Sequence, residues 1–252
     1  MAMKDELPAV SVIVPAYQEA ESIAESLQRL STVMLATGRS YEIIVVSDGS
    51  TDGTADLARA TGIPRMRVAE YEPNRGKGFA LRYGFSLATN PLVAFIDGDL
   101  DLDPVVLPDF FDRLDRGIAD VVVGSKVHPE SVVDYPLPRR VASRIFRLAT
   151  RFATGLRLGD TQTGIKAMRR ELVAPVIAGC TATGFAFDLE LLAGLSDRGA
   201  HIVEAPVRLD FNFTSTIRFS SALEAFRDLA KVARHRRKNR RLGSETQLVH
   251  TS

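Results

Sequence analysis

The chain has 252 residues, 45% hydrophobic and 25% charged, which suits one large globular α/β domain with at most a small appendage. Its net charge of +1 conceals an asymmetry: residues 1–125 carry 11 Lys/Arg against 19 Asp/Glu, a net −8, whereas residues 126–252 carry 21 against 12, a net +9. The lone cysteine, Cys180, excludes an internal disulfide, and no apolar run approaches the about 18 residues that would cross a bilayer.

Apolar strand patterns alternate with amphipathic helical ones through the first half. A β-branched strand is expected over residues 10–14, then a helix over 21–36 with Ile23, Leu27, Leu30 and Met34 on one face. A second strand over 41–46 runs into the turn Ser47-Asp48-Gly49-Ser50-Thr51-Asp52-Gly53 and a helix from about Thr54. A weak third strand over 66–69 precedes Asn74-Arg75-Gly76-Lys77-Gly78, which opens a helix to about Thr89. The fourth strand, 92–96, releases Asp97, Asp99, Asp101 and Asp103 at alternate positions; a helix over 104–116 and a fifth strand over 120–124 follow.

The second half is less regular. An arginine-rich helix is expected over 135–154, a short strand over 164–168, a helix over 187–196 and a strand over 200–207. A last amphipathic helix over 220–241 shows Leu223, Phe226, Leu229 and Val232 on one side and ends in Lys and Arg; beyond residue 243 the tail is polar. The domain expectation is therefore 1–218 for the main domain, 219–242 for the basic helix and 243–252 for a flexible tail.

Such alternation predicts a mainly parallel sheet with helices on both faces and ligands at the carboxyl ends of the strands. Four carboxylates off one strand end repel unless a cation sits among them. An oxygen-only set without His or Cys suits Mg²⁺ or Mn²⁺ beside substrate phosphates. Asp97 and Asp99 are the leading ligands, and Asp103 is expected to cap the following helix. The turn after the first strand, Pro15-Ala16-Tyr17-Gln18-Glu19, holds no glycine, which argues against a dinucleotide-binding dehydrogenase. A Tyr and a Glu there could instead hold a nucleoside.

Four motifs in order, Val12-Ile-Val-Pro15-Ala-Tyr17-Gln-Glu19, Asp48-Gly-Ser-Thr-Asp52-Gly-Thr54, Asn74-Arg-Gly76-Lys77-Gly78 and Asp97-Gly-Asp99, resemble those of family 2 glycosyltransferases of GT-A fold, over about residues 9–215. A narrower similarity, to polyprenyl- and dolichyl-phosphate sugar synthases and most to the dolichyl-phosphate glucose branch, rests on Val123-Gly-Ser-Lys126, Arg139-Arg140-Val-Ala-Ser-Arg144, Asp160-Thr-Gln162-Thr-Gly164-Ile-Lys166, Phe187-Asp188-x-Glu190 and Pro206-Val-Arg208.

The resemblance implies a metal-dependent, inverting hexosyltransferase that uses a nucleotide diphosphate sugar, UDP-glucose or GDP-mannose, and a lipid-phosphate acceptor. It assigns the metal to Asp97, Asp99 and Asp101, and the nucleotide sugar to Pro15, Tyr17, Glu19, Asp48 and Asp97. Lys77 either approaches the donor phosphates or neutralises a helix start. Asp188 acts as a base, orients the sugar or caps its helix. Asp160 and Gln162 either contact the sugar or stabilise their loop. A phosphate acceptor is already anionic and needs neutralising charge more than a base. Lys126, Arg140, Arg144 and Arg208 are the candidates, with solvated helix faces or a structural ion pair as their alternative roles.

The terminal helix either lies on an anionic leaflet or packs on the core. The polar N-terminus points away from a secretory signal and toward a cytoplasmic protein, peripheral at most on the membrane. No nucleic-acid motif accompanies the basic residues. Competing readings are a same-fold transferase acting on a hydroxyl, a non-catalytic nucleotide-sugar binder and a nucleotidyltransferase.

Overall fold

The computed structural model describes residues 7–99, 101–132, 155–156, 158–184 and 186–209. Seven strands form one sheet: β1 Val10–Ala16, β2 Tyr41–Asp48, β3 Met66–Tyr71, β4 Leu92–Phe95, β5 Val121–Ser125, β6 Lys166–Arg169 and β7 Ile202–Pro206. Their spatial order is β3-β2-β1-β4-β6-β5-β7. Every pairing is parallel except the two made by β6, which runs antiparallel between β4 and β5. The expected elements that fall on described residues are present with shifted ends, and one helix, Arg170–Ile177, went unanticipated. Pro175 inside it interrupts the local helical signal, while Val173, Val176 and Ile177 still turn one buried face to the sheet.

The strands are buried on both sides, as the near-continuous apolar runs require. Alternate residues feed two cores. Val12, Ile43 and Ala94 face α1 (Ile23–Ala36) and α4 (Leu107–Asp115). Ile13, Ile44, Val93, Phe95, Val121, Val123 and Met168 face α3 (Lys77–Leu87), α5 (Arg170–Ile177) and α6 (Ala186–Asp197); α2 (Thr54–Ala60) packs beside β3. Gly84 lets α3 approach the sheet, because a Cβ there would stand 2.5 Å from the Ile13 side chain.

Beside β1, one carboxylate joins three elements. Glu42 accepts hydrogen bonds from Ser11 Oγ at 2.6 Å, Thr89 N at 3.0 Å and Thr89 Oγ1 at 2.9 Å, and pairs with Arg67 at 2.9 Å. Burial alone would raise its pKa, but these donors prevail and hold it below the usual value of 4.5. Its stabilisation is therefore complete above that value and is lost as pH falls through the lowered one. Glu42→Gln is expected to cost about 1.5–3 kcal/mol at pH 7. Thermal melts between pH 7 and pH 3 should show the gap to wild type closing on the acid side.

The order of the first four strands places a topological switch between β1 and β4. From β1 the chain first moves outward to β2 and β3, then crosses to β4 on the other side. Such a point opens a crevice at the carboxyl ends of the strands.

Candidate active site at the carboxyl edge

Each motif off β1, β2 and β4 is held by its neighbours as well as by its own loop. Gly98 N donates to Pro15 O at 3.2 Å, seating the Asp97-Gly98-Asp99 segment on the end of β1. The 17–20 turn is laced to the turn after β2. Gln18 N donates to Ser50 Oγ at 3.1 Å, Thr51 N to Gln18 Oε1 at 2.9 Å, Glu19 N to Thr54 Oγ1 at 2.9 Å and Ala20 N to Asp52 Oδ2 at 3.0 Å. Gln18 takes a left-handed conformation (φ 58°) in doing so. Tyr17, half exposed, is left presenting its ring at the rim.

Asp48 closes β2 and is 3% exposed. Its carboxylate accepts from Tyr71 OH at 2.9 Å, Arg75 N at 2.7 Å and Asn74 Nδ2 at 3.1 Å. A carboxylate has about four acceptor positions, so one remains for a ligand. Gly49, at φ 67°, lets the 73–74 backbone cross here, since a Cβ would fall 2.3 Å from Asn74 N.

The central pair is Lys77 Nζ and Asp97 Oδ1, 2.5 Å apart, with side chains 24% and 34% exposed. Burial works to raise Asp97, but Lys77, with Lys166 and Lys126 adding to it, holds the carboxyl below its usual value. Burial likewise works against the Lys77 charge and is outweighed by Asp97 and Asp188. Asp99, exposed at its outer side, behaves in the opposite way. Partial loss of water, followed by the charges of Asp97 and Asp101, pushes it up to about 6. Glu19 is raised as well, first by burial and then by Asp101, Asp52 and Asp97, against the Ser22 hydroxyl. Asp99 and Glu19 are thus short of positive charge at the rim, while Asp97 is already compensated.

Among the described residues no group of three His, Cys, Asp or Glu side chains is arranged to hold a metal ion by itself. Asp97, Asp99 and Asp101 therefore do not form a closed cage. The oxygen-only donor set and the under-compensated Asp99 fit a hard cation bound by one or two carboxylates, with substrate phosphates and water completing its shell.

Asp103 caps the short 3₁₀ turn Pro104–Val106 by accepting from Val105 N at 3.0 Å, and pairs with Arg29 at 2.9 Å. Its backbone N donates to Arg208 O at 3.0 Å, which brings the segment after β7 beside the acidic loop. The Arg208 side chain is exposed and lines a cleft of about 420 Å³ with Val105, Asp109 and Glu130.

Asp160 spends both oxygens on backbone: Oδ2 accepts from Lys126 N at 3.2 Å and Oδ1 from Gln162 N at 3.1 Å. The loop is held further by Glu204, which accepts from Gly159 N and Asp160 N at 2.9 and 3.0 Å. Asp188, in the first turn of α6, is 2% exposed, and its Oδ1 accepts from Lys166 Nζ at 2.8 Å. Gln162 is half-buried. Arg140 and Arg144, like the expected helices over 135–154 and 220–241, lie outside the described residues.

The sequence pattern missed three supports. Lys166 is fully buried, Glu190 binds Thr181 N and Ala182 N at 2.9 and 2.8 Å, and Gln18 laces the first two motif loops. All three stand in motifs that carry the family resemblance but were given no role there; Lys166 also stands out as a lone charge in the otherwise apolar run Gly164–Met168.

Residues 11–176 match the family model of glycosyl transferase family 2. Glycosyltransferase AglD of Haloferax volcanii is 30% identical over 203 residues, 79% of this chain and 32% of that protein. An undecaprenyl-phosphate 4-deoxy-4-formamido-L-arabinose transferase of Yersinia enterocolitica is 30% identical over 180 residues, 70% of this chain and 54% of that one. The chain thus spans between a third and about half the length of these relatives. In fold it is similar to glucosyl-3-phosphoglycerate synthase of Mycobacterium tuberculosis, solved with Mn²⁺, UDP and phosphoglyceric acid (TM-score 0.69, 24% identity, 90% of this chain and 78% of that one). It is also similar to mannosyl-3-phosphoglycerate synthase of Rubrobacter xylanophilus (TM-score 0.69, 20% identity, 93% and 75%).

Proposed function

The chain belongs to glycosyl transferase family 2, and from that premise we propose that it moves glucose or mannose from a nucleotide diphosphate sugar to a polyprenyl or dolichyl phosphate. The observation that carries the acceptor class is the state of Asp188. A hydroxyl acceptor needs a base to take its proton, and Asp188 is enclosed and committed to Lys166. An acceptor that is already a phosphate anion needs no such base. The similarity to undecaprenyl-phosphate transferases supports the same class.

In this reading Tyr17, Glu19 and the remaining acceptor position of Asp48 hold the nucleoside at the ends of β1 and β2, beside Pro15. Asp97 and Asp99 would hold Mg²⁺ or Mn²⁺ against the diphosphate, where the ion neutralises charge on the leaving group. Lys77 stands beside Asp97 within reach of that diphosphate. An acceptor phosphate oxygen attacks C1 from the face opposite the leaving group. The new C1–O bond forms as the bond to the diphosphate breaks, and the configuration inverts. Lys126 and Arg208 offer positive charge to the acceptor from the β5 and β7 ends, and Arg140 and Arg144 remain candidates for the same task. Gln162, on the loop that Asp160 folds, faces the sugar.

Among the described residues no helix is long and apolar enough to cross a membrane. The basic run over 220–241, outside the described residues, is the segment proposed to meet an anionic leaflet.

The test is purified protein with labelled UDP-glucose and GDP-mannose, Mg²⁺ or Mn²⁺, and undecaprenyl phosphate in detergent. Label entering the organic phase with release of nucleoside diphosphate, both stopped by a chelator, is the expected result. Absence of organic-phase product from either donor overturns the lipid-phosphate reading. Transfer to a soluble hydroxyl compound without lipid would install the hydroxyl-acceptor reading instead, and release of pyrophosphate would indicate nucleotidyl transfer.

A further inference from the structure

Met168 of β6 and Val93 and Phe95 of β4 face α3, α5 and α6; by alternation Lys166 falls on the same face of β6, with Gly164 two residues before it and Asp97 two residues beyond Phe95. Because β6 runs antiparallel to β4, the polar end of this face lies at the start of β6 and at the end of β4, both at the carboxyl edge. Lys166 is 0% exposed, and its pairing registers it with Phe95 on one side and Val123 on the other. An ammonium at such a place is costly unless fully partnered. Its partners come from two directions: the Thr163 carbonyl, on its own strand's approach, and Asp188 Oδ1 at 2.8 Å, from the first turn of α6.

The register extended by two residues sets Asp97 opposite Gly164. The structure agrees, because a Cβ on Gly164 would fall 1.9 Å from Asp97 Oδ2. The Asp97 carboxylate thus lies over Gly164, two residues along the same face from Lys166, with Lys77 on it from the start of α3. Four alternating charges, Lys77, Asp97, Lys166 and Asp188, join the beginnings of α3, β6 and α6 to the end of β4. The two ion pairs are joined through the chain between them: Lys166 holds the Thr163 carbonyl, and the next residue, Gly164, is the surface on which the Asp97 carboxylate rests.

We infer that Lys166 is a positioning residue of the transfer reaction: anchored by Asp188, it fixes the place and charge of the Asp97 carboxylate that the donor and its cation engage. This rests on the donor-site reading given above. Groups that orient a ligating carboxylate from behind typically change metal affinity or activity by about 10–100-fold when removed.

Replacing one member of a buried ion pair strands the other charge, whereas replacing both with apolar groups of similar volume can leave stability intact. The decisive variant is therefore Lys166→Met/Asp188→Leu, with Lys166→Gln/Asp188→Asn as a second, hydrogen-bonded neutral pair should the first not fold. Three quantities are read on each folded variant: the thermal midpoint without metal, the affinity for Mn²⁺ with UDP or GDP by calorimetry, and kcat and KM for the donor. The expected result is a midpoint near wild type together with Mn²⁺–nucleotide affinity and kcat lowered by about 10–100-fold. A folded double variant that binds and turns over as wild type overturns the inference and leaves the pair a purely structural one. Wild-type protein that binds neither nucleotide with Mn²⁺ would sink the donor-site reading itself, an outcome distinct from equal binding by wild type and variant.

Discussion

Gly164→Ala is expected to lower sugar transfer by about 100-fold or more, with the fold retained. The added methyl would stand 1.9 Å from Asp97 Oδ2, 2.4 Å from its carboxyl carbon and 2.9 Å from Oδ1. The backbone cannot yield easily, because Gly164 lies between Ile165, whose carbonyl accepts from Gly124 N, and Thr163, whose carbonyl accepts from Lys166. The Asp97 side chain is the softer partner, being partly open to solvent. It would move, and a displacement of about 1 Å in a reacting constellation can cost on the order of 10²-fold. Overpacking of this kind costs about 1–3 kcal/mol of stability, which a domain of this size survives. Gly179→Ala is the control, since its Cβ would meet only Val176 O at an ordinary 3.5 Å. Steady-state kinetics with calorimetric Mn²⁺–nucleotide binding checks the prediction; unchanged turnover in Gly164→Ala would show that the place of Asp97 does not matter.

Asp99→Asn is expected to separate stability from function. In metal-free protein this carboxyl is pushed up to about 6 by partial loss of water and by the charges of Asp97 and Asp101. A carboxyl raised in the folded state favours folding while it is protonated, below its ordinary value of 3.8. That advantage is lost as pH rises through about 6. At pH 7 to 8 under chelator the neutral amide relieves the repulsion, so Asp99→Asn should melt above wild type, and the difference should close toward pH 4. With Mn²⁺ and donor present the effect reverses. Loss of an anionic ligand aimed at the leaving group is expected to reduce kcat by on the order of 10²–10³-fold. Scanning calorimetry with chelator across this pH range, set beside transfer rates with Mn²⁺, tests both halves. A variant that melts no higher than wild type at pH 8 would mean that the rim is not short of positive charge.

The two variants address different carboxylates in one loop, and the contrast follows from their surroundings. Asp97 enters the inner face, meets Lys77 and has its charge compensated before any ligand arrives. Asp99 stays outside near Asp101 and Glu19, and among the described residues it accepts a hydrogen bond from Asp101 N at 3.1 Å. A cation bound with a diphosphate therefore finds its strongest demand at Asp99, while Asp97 offers a prearranged place.

The first half of the molecule was legible because its signals are local. Short apolar runs and period-3.6 patterns set β1 to β4 and the helices between them, and the motifs fall where those strands end. The Asp97-Gly98-Asp99 pair, the glycine-free turn through Tyr17 and the expected cap at Asp103 each depend on only a few neighbouring residues. The place of Asp48 at the end of β2 was legible, but not its hydrogen bonds to Tyr71, Asn74 and Arg75, which are made across separate segments.

Tertiary structure decided the rest. Alternating patterns announced a parallel sheet but could not reveal that β6 slips antiparallel between β4 and β5, since strand order depends on contacts distant along the chain. That insertion puts Gly164 under Asp97 and turns Lys166, a polar residue in any sequence pattern, into a buried one whose partner lies 22 positions away. It also supplies partners for Asp188 and Asp160, whose roles the sequence left open between site and structure: the fold engages them by an ammonium and by backbone N–H groups. By itself the sequence determined which carboxylates reach the strand ends; only the packed sheet decided which of them are already neutralised, because charge compensation depends on distances in space and not on spacing along the chain.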